Sequence, residues 1–284
     1  MNIMIAGASG AVGRLLVPRL VQGGHTVKGT THRPENKQII ESMGAKALIA
    51  DVFDREATFA AVRESRPEVV IHQLTSLGSR AFSENSRIRV EGTRHLVDAA
   101  REAGVKRIIV QSIAWAYQPG DGPATENVPL DVESANPSRK RTVDAVAALE
   151  NTAAEIPEHV ILRYGLFYGP GTWYTSGGYM AEEALEGRLS GNDGFSSFVH
   201  VEDAALAACQ ALDWPSGAYN IVDDEPARGT EWLPGFAESV GATTPQTAAG
   251  EGQPWERGAT NAKARGLGWK PLYPTWRTGF GGKY

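Results

Sequence analysis

The chain has 284 residues and carries 33 acidic against 28 basic side chains, for a formal net charge of −5. A hydrophobic content of 42% is enough to bury a full core in one large α/β domain or in a domain with a smaller lobe. The acidic balance argues against nucleic acid as a partner. The single cysteine, Cys209, excludes an internal disulfide and suits a cytoplasmic location, and no apolar run approaches the length of a membrane span.

Short apolar runs alternate with helical patterns through the first half. The chain opens on a strand, Ile3–Ala6, which leaves no room for a signal peptide. Further strands are expected at Thr26–Gly29, Ala47–Ala50, Val69–His72, Arg107–Gln111 and Val160–Arg163, with helices over 12–22, 35–43, 54–64, 86–103 and 138–155. Asp54 is a good N-cap for the third helix, and Gly104 closes the fourth. This rhythm predicts an α/β fold, a doubly wound parallel sheet covered on both faces. After residue 164 the texture changes to Gly, Pro and aromatics, through Tyr168, Trp173, Tyr174 and Tyr179 and then Trp232, Trp255, Trp269 and Trp276. Strands at Phe198–Val201 and Tyr219–Val222 and a helix over 202–212 still intervene. Residues 1–164 are therefore expected to form a Rossmann-type domain. Residues 165–284 are expected to form a smaller substrate lobe with strands that return to the sheet.

Between the first strand and the first helix lies Gly7, Ala8, Ser9, Gly10, Ala11, Val12, Gly13. Glycines at this spacing permit a tight turn, a close backbone approach to pyrophosphate, and close packing of helix on strand. The helix start then offers free N–H groups to phosphate. A dinucleotide site follows from this context, with Gly7, Ser9, Gly10, Ala11, Val12 and Gly13 as its phosphate-facing residues. The second strand ends Gly29, Thr30, Thr31, His32, Arg33, without the carboxylate that an NAD site uses on its ribose. Arg33 instead suits a 2′-phosphate, with Lys37 one helical turn on, so NADP is favoured over NAD.

These residues, together with Asp51-Val52-Phe53-Asp54, Val69–His72, Glu91-Gly92-Thr93, Val105–Ser112, Leu162–Gly165, Tyr168–Gly171 and Phe198–Asp203, resemble the extended short-chain dehydrogenase/reductase superfamily, of epimerase and dehydratase type. The resemblance covers most of residues 1–222. It implies that Asp51, beside Val52, receives the adenine amino group, and that the chain at His72 passes the adenosine ribose. It also implies a catalytic Tyr with Lys four residues later. None of the eight tyrosines has that lysine. With Glu150 taken as the helix glutamate one turn beyond the Lys, Thr142 falls on the Tyr position and Val146 on the Lys position. Ile113 falls on the family's Ser/Thr position, next to Ser112. The chain is thus similar to the atypical branch, in which the phosphate loop survives without the usual acid–base groups.

Tyr117, Ser112 and Tyr164 are the candidate replacement groups, near the switch point where open sheets bind ligands. Trp173, Tyr174 and Tyr179 suggest an apolar or ring-shaped substrate. No His or Cys cluster has metal-ligand spacing. The expected activity is an NADP-dependent oxidoreductase acting on a small carbonyl, alcohol or sugar-like molecule. Two alternatives stay open: a redox-silent dehydratase, isomerase or cyclase that keeps the dinucleotide as scaffold, and an NADP-sensing regulator. The resemblance also suggests a homodimer through the helices near 86–103 and 138–155.

Overall fold

A computed structural model describes residues 1–245 and 250–281. The elements in chain order are β1 (Asn2–Ala6), α1 (Ala11–Gln22), β2 (Thr26–Thr31), α2 (Lys37–Ser42), β3 (Lys46–Ile49), α3 (Arg55–Ser65), β4 (Val69–His72), α4 (Phe82–Arg87), α5 (Thr93–Glu102), β5 (Arg107–Ile113), α6 (Pro137–Ala153) and β6 (Glu158–Tyr164). There follow β7 (Leu166–Tyr168), α7 (Tyr179–Leu185), β8 (Phe195–Ser196), β9 (Phe198–His200), α8 (Val201–Gln210), β10 (Gly217–Ile221), β11 (Ala227–Arg228), α9 (Gly229–Ser239), α10 (Ala262–Gly266) and α11 (Trp276–Gly279).

Seven strands form one sheet in the order β3-β2-β1-β4-β5-β6-β10. The ladders from β3 through β5 are parallel, and Ala6 at the end of β1 stands in register with Thr30 on one side and His72 on the other. The direction of winding reverses between β1 and β4, which is where ligands settle in open α/β sheets. All four residues of β4 are buried, as a strand covered on both faces requires.

The chain divides into two compact units. The first comprises 1–112, 132–162 and 205–218; the second comprises 113–131, 163–204 and 219 onward. One crossing, between 162 and 163, lies beside the boundary expected at residue 164. The chain leaves the first unit at the C-terminal ends of β5 and β6, so the loop 113–131 belongs with the second unit, and most of α8 belongs with the first.

Local chemistry accounts for several helix ends. The Asp54 carboxylate accepts a hydrogen bond from Ala57 N at 3.0 Å, a cap contributing about 1 kcal/mol. Asn136 does the same for α6, accepting from Ser138 N and Arg139 N, with Pro137 at the first helical position. Gly104 adopts φ +73 just past α5. The single helix expected over 86–103 is interrupted: a π-turn, Ile88–Gly92, separates α4 from α5. Gly92 lies so near Val52 that an added Cβ would stand 2.9 Å from Cγ1, and Arg89 is turned inward. Turns of this kind gather at functional positions. Cys209 is partly buried, and burial pushes its thiol up to about 11, which leaves it a packing residue.

The second unit has an aromatic core of its own. Tyr174 is buried and packs edge-on against Phe198, Trp232 and Phe236 at centroid distances of 5.4, 5.8 and 5.2 Å. Trp173 and Tyr179 pack on each other at 5.4 Å. For Tyr174 the expectation of a substrate-facing ring is corrected, because it and its partners are what this unit folds around. Two buried carboxylates anchor its C-terminal segment. Asp203 accepts from Leu272 N at 2.6 Å and Tyr273 N at 3.0 Å, and Asp223 accepts from Trp276 N at 3.0 Å and Glu225 N at 3.2 Å.

Burial pushes the Asp223 carboxyl up to about 8, with Glu225 and Asp224 reinforcing the shift and the two N–H donors opposing it. Between the ordinary carboxylate value of 3.8 and about 8, the folded chain holds a proton that the unfolded chain releases. The stability this proton contributes is complete at acidic pH and is lost as pH rises through about 8. Chemical denaturation at about pH 5 and about pH 8 will show the wild type losing stability at the higher pH, and Asp223→Asn losing less.

Candidate functional site

The phosphate loop follows from the lack of side chains at two positions. Gly7 has φ +94, and an added Cβ would stand 2.7 Å from Gln73 O, the first residue past β4. At Gly13 an added Cβ would overlap the carbonyl oxygens of Gly7 and Ala8, so α1 crosses the loop closely enough to admit nothing larger than hydrogen. Gly10 N donates to Gly7 O at 3.1 Å and closes the turn. Gly10 then caps α1 with extended backbone and no side-chain bond, and no acid lies in the first helical turn. The first N–H groups of this 12-residue helix are thus left for an anion. Arg14 Nε donates to Ser9 O at 2.8 Å, and Asn36 Nδ2 donates to Ser9 Oγ at 3.3 Å. The second of these ties the end of the turn after β2 to the loop, although Asn36 carries no motif that marks it in the sequence.

Arg33 opens that turn. It is exposed, and its Nε approaches His32 Nε2 at 3.3 Å. The stretch from Gly29 to Pro34 contains no carboxylate. Lys37 is paired with Glu41 at 3.7 Å. Asp51 is exposed, and one of its oxygens accepts from Phe53 N at 2.9 Å. Val52 packs on Gly92, and its carbonyl lies 2.9 Å from His95 Nδ1.

At the end of β4 the His72 side chain turns into the fold. It is 1% exposed; its Nδ1 accepts from Leu74 N at 3.2 Å and its Nε2 lies 3.0 Å from Thr93 Oγ1. Burial, with the Arg89 charge nearby, lowers its pKa to about 4, so the ring is neutral and stitches β4 to α5. Two residues carry more information here than His72. Gln73 is 5% exposed, and among the described residues neither polar atom of its amide has a hydrogen-bond partner. A buried amide in that condition costs free energy unless a ligand completes it. Arg89 is 8% exposed and forms no ion pair among the described residues, and burial lowers its pKa to about 10. The sequence hints at Arg89 only as a charge on the apolar side of a helix. It hints at Gln73 only as the residue that follows β4. An orphaned amide, a cradle that Cβ atoms would fill and uncapped helix N–H groups fit a pyrophosphate-bearing dinucleotide.

The acid–base candidates have other partners. Ser112 Oγ donates to Glu150 Oε1 at 2.6 Å, and both side chains are buried. Thr142 Oγ1 donates to Ser138 O at 3.3 Å, and Val146 is buried. In the second unit, Tyr117 is 1% exposed; its hydroxyl donates to Asn220 Oδ1 at 2.5 Å and accepts from Arg163 Nη1 at 3.0 Å. Tyr164 is buried, with its hydroxyl donating to Ala204 O at 3.3 Å. Glu126 accepts from Asn220 N at 2.7 Å. Tyr117, Ser112 and Tyr164 each donate the hydroxyl proton to a buried internal acceptor. Among the described residues, no cluster of His, Cys, Asp or Glu has a metal-binding arrangement, and no helix is long and apolar enough to cross a membrane.

With this geometry in hand, the profile of the NAD dependent epimerase/dehydratase family matches residues 3–222, and the chain belongs to that family. Its relatives include a 3-diazoavenalumate denitrifying reductase from a Streptomyces species, 41% identical over 99% of each chain. A ceramide reductase from Caulobacter vibrioides is 26% identical over 84% of this chain and 71% of its own length. Among solved structures, the UDP-glucose 4-epimerase of Thermus thermophilus in complex with NAD superposes with a TM-score of 0.77 at 24% identity, over 99% of this chain and 97% of that one. The Thermotoga maritima UDP-glucose 4-epimerase with UDP-glucose gives 0.78 at 20% identity, over 99% and 96%. At these identities the two structures establish the shared fold.

Gly13→Ala will abolish dinucleotide binding, because the methyl group has only loop carbonyls to displace; nicotinamide fluorescence titration checks this.

Proposed function

We propose that the protein is an NADP-dependent reductase that transfers hydride without a tyrosine–lysine acid. The observation that carries this is the pairing of an intact phosphate loop with internally bonded hydroxyls at Ser112, Tyr117 and Tyr164. Bound dinucleotide in reduced form supplies the hydride. The loop and the start of α1 would hold the pyrophosphate, Gln73 would complete its amide on the bound molecule, and Asp51 would stand at the adenine. Arg33 would pair with the 2′-phosphate, with no carboxylate beside it to repel that group.

Carbonyl reduction makes an alkoxide and needs a proton donor of matched pKa. An acceptor that expels a neutral leaving group makes no such demand. Hydride added to an aryl diazonium carbon breaks the C–N bond and releases dinitrogen; the arene gains the hydrogen, and the nicotinamide is oxidised by two electrons. The Streptomyces relative, a denitrifying reductase of a diazo compound by name, supports this class of acceptor here.

The test is NADPH carrying deuterium at C4 of the nicotinamide, supplied with an aryl diazonium salt and, separately, with simple ketones. Deuterium on the arene is the expected result. Turnover with no change in nicotinamide absorbance would mark a redox-silent enzyme instead. Tyr117→Phe will keep hydride transfer within about threefold while losing roughly 1–2 kcal/mol of stability, the worth of a buried hydrogen bond, in a denaturant titration. Arg33→Ala will weaken NADPH roughly ten- to hundredfold, the range for a charge-assisted contact, and leave NADH nearly unchanged.

A further inference from the structure

The second unit encloses a cavity of about 310 Å³ whose walls include Trp115, Tyr117, Phe195, Trp255, Glu256 and Arg257. A second hollow of about 270 Å³ shares Phe195, Glu256 and Arg257 and adds Asp121. Four of the twelve residues that line the larger cavity are aromatic, which favours a flat, apolar occupant.

Arg257 is built into this wall. Its Nε donates to Gly122 O at 2.8 Å, its Nη1 to Gln118 O at 3.3 Å and its Nη2 to Asp121 O at 2.7 Å. Gly120 makes room for it, since a side chain there would overlap the guanidinium. The three acceptors are neutral carbonyls, so they fix the group in place without cancelling its charge. No carboxylate of the described residues pairs with it. A guanidinium has five N–H donors, so two remain for a ligand. Glu256 is fixed as well: its Oε2 accepts from Asn192 Nδ2 at 3.1 Å and Gln253 N at 2.8 Å.

Charge decides what such a wall accepts. A nucleoside diphosphate brings two negative charges to a surface with one guanidinium and, in Glu256 and Asp121, two carboxylates. A single carboxylate needs only the two remaining Arg257 donors, one on Nη1 and one on Nη2. We propose that this cavity binds a planar aromatic monocarboxylate and rejects nucleoside diphosphate sugars. The proposal names the substrate class for the reductase reading given above and rests on that reading.

Calorimetric titration of the full-length protein, saturated with oxidised dinucleotide, tests it with cinnamate, cinnamamide and UDP-glucose as probes. Cinnamate is expected to bind, cinnamamide roughly tenfold more weakly as one charge-assisted pair is lost, and UDP-glucose not at all. Arg257→Gln is expected to erase the preference for acid over amide. Trp255→Ala is expected to weaken acid and amide by the same factor. Binding of UDP-glucose, equal affinity for acid and amide, or no binding of cinnamate each overturns the proposal. The comparison is made on the wild-type protein, so it stands even if a variant fails to fold. No hydride moves in this experiment, so a failed reductase reading would appear in the deuterium transfer and leave these affinities in place.

Discussion

The site depends on how closely three backbone segments approach one another at the end of β1. Gly7, Gly13 and Gln73 meet where a single methyl group would overlap carbonyl oxygens. That contact sets the turn, directs the start of α1 and places the end of β4 beside the loop. Hydrogen is the only side chain that fits at Gly7 and Gly13, and at Gly7 the left-handed backbone reinforces the requirement. The N–H groups that face an anion are a by-product of this packing, since Gly10 cannot cap the helix and no acid follows it.

Around that contact the first unit stores polarity that its own atoms do not satisfy. Among the described residues the Gln73 amide has no hydrogen-bond partner, and Arg89 is buried without an ion pair. Both sit where β4 ends and the π-turn begins. The buried His72 and Ser112 of the same unit are paired instead, His72 with Thr93 and Leu74 and Ser112 with Glu150. The contrast separates groups that hold the protein together from groups that a ligand completes.

The parallel sheet, the phosphate loop and the Asp54 cap were legible in the sequence because each rests on neighbours a few residues apart. Strand alternation, glycine spacing and N-capping are local properties. The break at Ile88–Gly92 was not legible, because it depends on Val52 crowding Gly92 from a distant segment. The aromatic residues after 164 invited a pocket reading. Nothing in their order reveals that Tyr174, Phe198, Trp232 and Phe236 close on one another as a core. The weak β7, β8 and β11 strands and the helices after residue 225 likewise carry little periodicity and form through packing.

Composition and spacing alone determined the fold class, the dinucleotide loop, the lack of a carboxylate after β2 and the lack of any tyrosine with a lysine four residues later. These are statements about residue type and order, and the chain carries them before it folds. Only the tertiary structure decided what the hydroxyls of Ser112, Tyr117 and Tyr164 do, because their partners Glu150, Asn220 and Ala204 stand 38, 103 and 40 residues away. It also decided that the Arg257 guanidinium is held by three neutral carbonyls, since those carbonyls come from a loop more than a hundred residues earlier. A side chain's chemistry is intrinsic, but its availability is set by which distant groups reach it first.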